Sequence, residues 1–127
     1  MRRTLLTLSA LSVMAVSGLF VNRAIAQQPK PVVIITHVDF APQPNGLGDA
    51  LNLLKQYAAD TRKDAGNVRV EVLQQDNRMN HLTLVEEWKS REDFEAHLRA
   101  DHTKQFREKA HPMMGSPFDE RLHSVLQ

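Results

Sequence analysis

Residues 32–40 are rich in β-branched residues, and a period of two runs through 68–73 and through 82–88, patterns typical of strands. In segments between them apolar residues recur with the period of a helix. Strands are predicted at residues 32–40, 68–73, 81–89 and 118–126, the middle two joined as a hairpin by a turn at 76–80. Residues 47–63 predict a helix that ends close to Gly66. A second helix is predicted to begin at Ser90, to break or kink near Asp101 and to resume through Ala110.

The order β-α-β-β-α-β predicts an α+β, ferredoxin-like fold, in which two helices cover one face of a four-stranded antiparallel sheet. Val33, Ile35 and Val125 are expected to point away from those helices. Exposed apolar sheet surface of this kind usually marks an interface. We therefore expect a homodimer that forms through the uncovered sheet face.

The first residues have the three parts of a secretory signal peptide. Arg2 and Arg3 form a positive start, residues 5–21 an apolar run, and Ala24 and Ala26 flank Ile25 in an A-x-A cleavage site. A membrane anchor is the alternative, which the serines of the run disfavour. The sequence predicts a signal peptide at 1–26, a domain at 27–127 and a periplasmic or secreted mature protein without a membrane segment. Whether export follows the general or the twin-arginine route stays open.

Cleavage changes the charge of the protein. The full chain has 16 basic and 15 acidic residues, and removal of Arg2, Arg3 and Arg23 leaves a net charge of −2. A mildly acidic domain with interspersed charges predicts neither a nucleic-acid nor an anionic-lipid partner. The chain has no cysteine, which excludes thiol nucleophiles, Fe–S clusters and Cys-ligated zinc. Nucleophile-elbow, phosphate-binding and dinucleotide motifs do not occur, so no such cofactor is expected.

Glu86 is the least expected residue of the third predicted strand. The two-residue period places it on one face with Leu82, Leu84 and Trp88. A buried carboxyl group needs hydrogen bonds or holds its proton more tightly, and both conditions suit a pocket acid or base. The alternative is a hydrated or arginine-paired carboxylate at the end of a strand. Trp88 is interpreted as a core residue or as a wall of a binding site.

Histidines are frequent, and His97 and His102 fall in the second helical region. His97 borders the buried stripe of that helix, three residues after Phe94. Metal binding is one interpretation of the two histidines. Their separation of five positions is not the helical spacing of i, i+3 or i+4, which disfavours a metal site unless a helix break brings them together.

Residues 86–102 read EEWKSREDFEAHLRADH, with E-x-W at the start, A-H-L in the following helix and a second histidine five residues later. This segment closely resembles the antibiotic biosynthesis monooxygenase family, and the likeness is compatible with residues 32–126. The resemblance implies a ferredoxin-like homodimer with sheets packed face to face and a pocket between each sheet and its helices. In quinol-oxidising members it also implies oxygenation of a hydroquinone or polyphenol by O2, without metal, flavin or haem.

The resemblance further implies roles for individual residues. His97 and His102 are the expected pocket base and hydrogen-bond donor, and Glu86 is expected to orient a histidine. Trp88, Phe94 and, more weakly, His37 are the expected substrate contacts. The first hypothesis is thus an exported, cofactor-independent monooxygenase acting on a small quinol-like aromatic.

Two alternatives remain open. One is a non-catalytic dimeric protein that binds small aromatic ligands, and the other is haem or metal binding through the histidines. Haem-degrading relatives have a tryptophan at the position of His97 and a haem-ligating histidine at the position of Arg107. They also have an asparagine on the first strand, whereas the first strand of this chain has His37 and no asparagine. These departures disfavour haem degradation.

Overall fold

The computed structural model describes residues 28–126, and the predicted signal peptide, residues 1–26, lies outside them. The strands are β1 (Val32–Asp39), β2 (Asn67–Gln75), β3 (Arg78–Trp88) and β4 (Asp119–Ser124). The helices are α1 (Gly48–Thr61), α2 (Arg91–Arg99) and α3 (Asp101–Ala110), followed by a short 3-10 turn (His111–Met113). The predicted α+β, ferredoxin-like order is confirmed, with the second helical region divided in two.

The four strands form one antiparallel sheet in the order β2-β3-β1-β4. In its register, Ile34 of β1 pairs with Glu86 of β3, and Thr36 pairs with Leu84 on one side and with Glu120 of β4 on the other. From Val32 to Val38 in β1 and from Leu82 to Trp88 in β3, even-numbered residues are buried beneath the helices, and odd-numbered ones face the other side. The predicted alternation of both strands is confirmed.

The core beneath the helices consists of two clusters. The larger cluster contains Val38, Phe40, Ala50, Leu54, Tyr57, Leu82, Leu84, Phe106 and Ala110. The smaller one contains Val32, Ile34, Trp88 and Phe94. Leu84 and Trp88 belong to different clusters, and Glu86 lies between them on β3. The sheet therefore brings a carboxyl group to the junction of two apolar clusters.

The break in the second helical region has a local cause. The Ser90 hydroxyl accepts a hydrogen bond from the backbone N–H of Asp93, which caps the start of α2 as predicted. Ala100 then adopts an extended backbone with ψ of 146°, and this residue both ends α2 and precedes α3. The chain thus changes direction between His97 and His102, one position before the predicted break at Asp101.

Several boundaries differ from those predicted. The turn between β2 and β3 is only Asp76–Asn77 long, so both strands extend further than their apolar patterns indicate. Helix α1 ends at Thr61, and Gly66 is not its capping residue. Gly66 instead has a φ of 80° in the loop before β2, a backbone conformation that favours glycine.

The sheet face that the helices leave open carries the half-buried side chains of Val33 and Ile35, as predicted. Val125 lies beyond the end of β4 and is 54% exposed, so the predicted strand to residue 126 is too long. Dimerisation through this face stays a prediction, as does export. Within residues 28–126, no helix has the length and apolar character needed to cross a membrane.

Candidate active site

A narrow cleft opens between the sheet and helices α1 and α3. Its cavity volume is about 10 Å³, the space of about one water molecule, and the cleft is open at its mouth. The lining side chains are Thr36, Val38, Tyr57, Leu84, Glu86, Phe106, Arg107, Phe118 and Glu120. Larger depressions occur elsewhere on the described surface, but no buried titratable group lines them. Because enclosed space and buried ionisable groups coincide in this cleft, it is the candidate active site.

Glu86 provides the buried carboxyl group of the cleft. Only 2% of the residue is exposed, so Glu86 is a buried carboxyl group and not a hydrated one at the end of a strand. The indole Nε1–H of Trp88 donates a hydrogen bond of 3.1 Å to its Oε2. Burial raises the pKa of Glu86 to about 7, and the Trp88 hydrogen bond partly offsets this rise. Near neutral pH the carboxyl group can therefore both accept and release a proton.

His97 lies behind the cleft, with a side chain that is 0% exposed. Its Nε2 is 2.8 Å from the hydroxyl of Tyr57, which lines the cleft, and its Nδ1 is 2.7 Å from Oδ2 of Asp64. The same Nε2 is 3.9 Å from Oε2 of Glu86. Both ring nitrogens thus have partners within the protein, and the imidazole connects the cleft residues to Asp64.

The hydrogen bonds of His97 indicate which nitrogen holds its proton. Burial lowers the pKa of His97, so the neutral imidazole is favoured. A carboxylate only accepts hydrogen bonds, which places the proton on Nδ1, the nitrogen that faces Asp64. Nε2 then accepts a hydrogen bond from Tyr57, whose pKa burial raises, so that the phenol keeps its proton.

His102 joins the same group of residues because of the helix break at Ala100. Its Nε2 lies 2.9 Å from both carboxylate oxygens of Asp64. The side chains of His102 and Asp64 are 25% and 21% exposed, in contrast to that of His97. We call Asp64, His97 and His102 the Asp–His–His cluster; it extends from the protein interior to the surface.

The Asp–His–His cluster has the composition of a metal-binding group, with donor atoms within 4.8 Å of one another. Two observations favour hydrogen bonding. The distance of 2.7 Å between Nδ1 of His97 and Oδ2 of Asp64 is that of a charge-assisted hydrogen bond. The Nδ1 of His102 is buried and has no partner among the described residues, whereas metal-binding histidines almost always donate from their second nitrogen.

Trp88 and Phe94 support the site from the core and do not line the cleft. The Trp88 ring is fully buried, 4.8 Å from the ring of His97 and 6.1 Å from that of Phe94, measured between centroids. Its only polar atom donates to Glu86. Trp88 therefore fixes the position of the carboxyl group and of the imidazole.

Thr36 adds an unsatisfied hydroxyl to the cleft. The residue is 5% exposed, and its Oγ1 has no hydrogen-bond partner among the described residues. At the more exposed side of the cleft, Arg107 forms an ion pair of 2.6 Å with Glu120 and lies over the ring of Phe118. A buried hydroxyl without a partner is costly, and a bound ligand with a polar atom would satisfy it.

His37 is not brought to this site. It lies on the open face of the sheet, where its ring stacks on that of His81 with centroids 5.4 Å apart. Its Nδ1 is 3.1 Å from the hydroxyl of Thr83. The structure thus brings together His97, His102 and Glu86 of the predicted site residues, and it separates His37 from them by the thickness of the sheet.

Sequence reasoning missed three residues of the site. Tyr57 belongs to the apolar stripe of α1, and Thr36 to the buried face of β1, so neither stands out from the core positions around it. Asp64 lies in the loop after α1, in no recognisable motif. A polar residue within a buried stripe is the one signal that points to Tyr57 and Thr36, and no comparable signal marks Asp64.

The fold recurs in known structures. A conserved protein from Methanosarcina mazei Go1 superposes with a TM-score of 0.69 at 21% identity, covering 79% of this chain and 97% of that one. PA3566 from Pseudomonas aeruginosa gives 0.70 at 17% identity, over 79% and 98% of the two chains. SnoaB from Streptomyces nogalater, a cofactor-independent oxygenase, gives 0.67 at 15% identity, over 77% and 95%. At these identities the likeness shows the fold.

The sequence matches the model of one protein family. The match covers residues 33–109, from β1 to the end of α3, and includes all members of the Asp–His–His cluster as well as Glu86. No curated protein sequence matches this chain. Because the matched segment is more than half of the chain and contains three of the four strands, the helices and most of the cleft lining, this protein belongs to the antibiotic biosynthesis monooxygenase family.

Proposed function

We propose that the cleft binds a small electron-rich phenol of the hydroquinone class, and that the protein oxygenates it with O2 without a bound cofactor. The observation that carries this proposal is the buried Glu86 carboxyl group on the cleft lining. With a pKa of about 7 it is ionised in mildly alkaline solution, where it is a base for a phenolic proton. The phenolate that forms is more easily oxidised than the phenol.

The lining of the cleft suits such a substrate. Phe106 and Phe118 give it aromatic walls, and because the cavity has space for about one water molecule, the side chains at its mouth must move apart to admit an aromatic ring. Thr36 pairs with Leu84, two positions before Glu86, so its hydroxyl lies diagonally across the strand pair from the carboxyl group. These two polar groups lie at separate places on the lining, which favours a substrate with two oxygen atoms, one to contact each group.

The proposed reaction needs no electron donor other than the substrate. Glu86 takes the phenolic proton, and the phenolate transfers electrons to O2. One oxygen atom forms a bond to a ring carbon. The other leaves as water, which takes up the proton equivalent accepted by Glu86 and a second proton from the substrate. A hydroquinone and O2 thus give a hydroxyquinone and water, with four electrons passing from the ring to oxygen. The protein contributes deprotonation, positioning and exclusion of water.

Family membership supports this proposal, since the family description is that of a monooxygenase. SnoaB, which has the same fold, is a cofactor-independent oxygenase. The role of His97 changes from that expected from the sequence. Its ring nitrogens are bonded to Tyr57 and Asp64, so we assign proton acceptance to Glu86 and assign His97 to the support of the site.

Oxygen uptake with a panel of hydroquinones tests the proposal. We expect the purified protein to accelerate uptake above autoxidation in the presence of a chelator and a superoxide scavenger. With O2 labelled by the heavy oxygen isotope, mass spectrometry should find one labelled atom in the hydroxyquinone. Heat-unfolded protein is the control. Binding of the hydroquinones without any uptake would contradict the proposal and favour a ligand-binding protein.

Thr36→Val is expected to weaken substrate binding without weakening the fold. Valine has the shape of threonine and lacks the hydroxyl, so KM for a hydroquinone should rise about tenfold while kcat changes little. The free energy of unfolding should stay the same or rise by about 1 kcal/mol, because an unsatisfied buried hydroxyl is removed. Steady-state kinetics and urea unfolding measure both effects. Thr36→Ser, which keeps the hydroxyl, should retain the native KM; an equal rise in both variants would contradict the assigned contact.

A further inference from the structure

We propose that His97 and Asp64 form a proton path between Glu86 and solvent, and that His102 positions Asp64 at its outer end. The inference rests on the proposed function only in that Glu86 gains a proton in each turnover. The path itself is a feature of the folded chain. It gives Asp64, a residue that no sequence motif singles out, a role in proton release.

The inner end of the path lies at the cleft. Nε2 of His97 accepts a hydrogen bond of 2.8 Å from Tyr57 and is 3.9 Å from Oε2 of Glu86. Both Tyr57 and Glu86 line the cleft, whereas the His97 side chain is completely buried. Nε2 is the nitrogen of His97 that holds no proton, and its single lone pair becomes available to Glu86 when the Tyr57 hydroxyl turns away.

The outer end of the path lies at Asp64. Nδ1 of His97 donates to Oδ2 of Asp64 over 2.7 Å, and the Asp64 side chain is 21% exposed. His102 lies 2.9 Å from both carboxylate oxygens and so holds the carboxylate toward His97. The hydrogen bonds thus run without a gap from a buried imidazole to an atom that water can reach.

Proton transfer along this path runs outward and then back within one turnover. Protonated Glu86 turns toward Nε2 and gives it a proton, His97 releases the proton on Nδ1 to Asp64, and Asp64 passes it to water. Glu86 and Asp64 end as carboxylates. His97 ends neutral with its proton on Nε2. Because the overall reaction releases no net proton, a proton then returns from water through Asp64 and His97 to Glu86. This return restores the first tautomer of His97 and supplies a proton for the formation of water. No electrons move in this sequence.

The mouth of the cleft is the competing route for the proton. The ionisable groups around Glu86 are Tyr57 from α1, His97 from α2, Arg107 from α3 and Glu120 from β4. Arg107 and Glu120 form an ion pair at the exposed side. A substrate seated in the cleft would lie between Glu86 and this mouth, whereas the path through His97 leaves on the other side.

A pH jump followed by tryptophan fluorescence separates the two routes without phenol or O2. Trp88 is the only tryptophan, and its indole N–H donates to Glu86, so its emission reports the ionisation of that carboxyl group. The jump runs from about pH 5.5 to about 8.5, on both sides of the pKa of about 7. Glu86→Gln identifies the fluorescence phase that belongs to Glu86, because that phase should be lost.

In Asp64→Asn we expect this phase to be about tenfold slower or more, with its amplitude retained, because asparagine keeps the shape but accepts no proton. His102→Asn should slow it less. Asp76→Asn, in the exposed turn between β2 and β3, is the matched control and should leave the rate unchanged. Two results would overturn the proposal. If Asp64→Asn leaves the rate of the Glu86 phase unchanged, the proton leaves through the mouth of the cleft. If saturating Zn²⁺ slows this phase in the native protein but not in His102→Asn, the Asp–His–His cluster is a metal site.

Discussion

Glu86→Gln is expected to lower the rate of hydroquinone oxygenation by about a hundredfold or more, the usual contribution of a general base. Glutamine has the size of glutamate and can still accept the hydrogen bond from Trp88, so the cleft should keep its shape. It cannot accept a proton from the substrate. The loss should fall on kcat, with KM changed little, because the proton is transferred after binding. Oxygen uptake under saturating hydroquinone measures it.

The pH dependence of the rate of the native enzyme is a second test of Glu86 as the base. Since the pKa of Glu86 is raised to about 7, the rate should rise as pH increases through that value and then level off. The residual activity of Glu86→Gln should lack this rise. Glu87→Gln is the matched control, because Glu87 is the next residue of β3, faces the open side of the sheet and pairs with Arg69. If Glu86→Gln were as active as Glu87→Gln, the assignment of Glu86 as the base would be contradicted.

The elements that form the cleft could be predicted from local patterns. Alternation along β1 and β3 assigned each residue to a face, and it placed Glu86 among large apolar side chains. The same alternation places His37 on the face opposite to that of Thr36, so the period of two argues against the contact that the family resemblance suggested for His37. For His37, the strand alternation and the family resemblance led to different expectations, and the structure agrees with the alternation.

The contacts that complete the site could not be predicted in this way. Asp64 and His97 are 33 positions apart, and Tyr57 and His97 are 40 apart. Such contacts depend on how helices pack on the sheet, and periodicity within one element contains no information about that packing. The separation of five between His97 and His102 is unfavourable on a continuous helix, and only the extended backbone of Ala100 turns it into a cluster around Asp64.

Glu86→Gln is also expected to change how the stability of the protein depends on pH. The folded state holds the proton of Glu86 more tightly than the unfolded state, whose pKa is near 4.5. Protonated Glu86 therefore causes no loss of stability below about pH 4.5, and ionisation of the buried group becomes increasingly costly as pH rises to about 7. Over this interval the native protein should lose about 3 kcal/mol of unfolding free energy relative to the variant.

Urea unfolding of both proteins at a series of pH values measures this difference. The lowered pKa of His97 acts in the opposite direction, because folding opposes its protonation as pH falls below about 6.5. That contribution is present in both proteins and largely cancels in the comparison. Glu87→Gln should show no such trend, since Glu87 is partly exposed. A difference between native protein and Glu86→Gln that stays constant from pH 4 to 8 would mean that Glu86 ionises as an ordinary surface carboxyl group. If the difference in unfolding free energy grows with pH, the ionised Glu86 carboxylate destabilises the fold. An active site is expected to contain such a group, because activity there is obtained at the expense of stability.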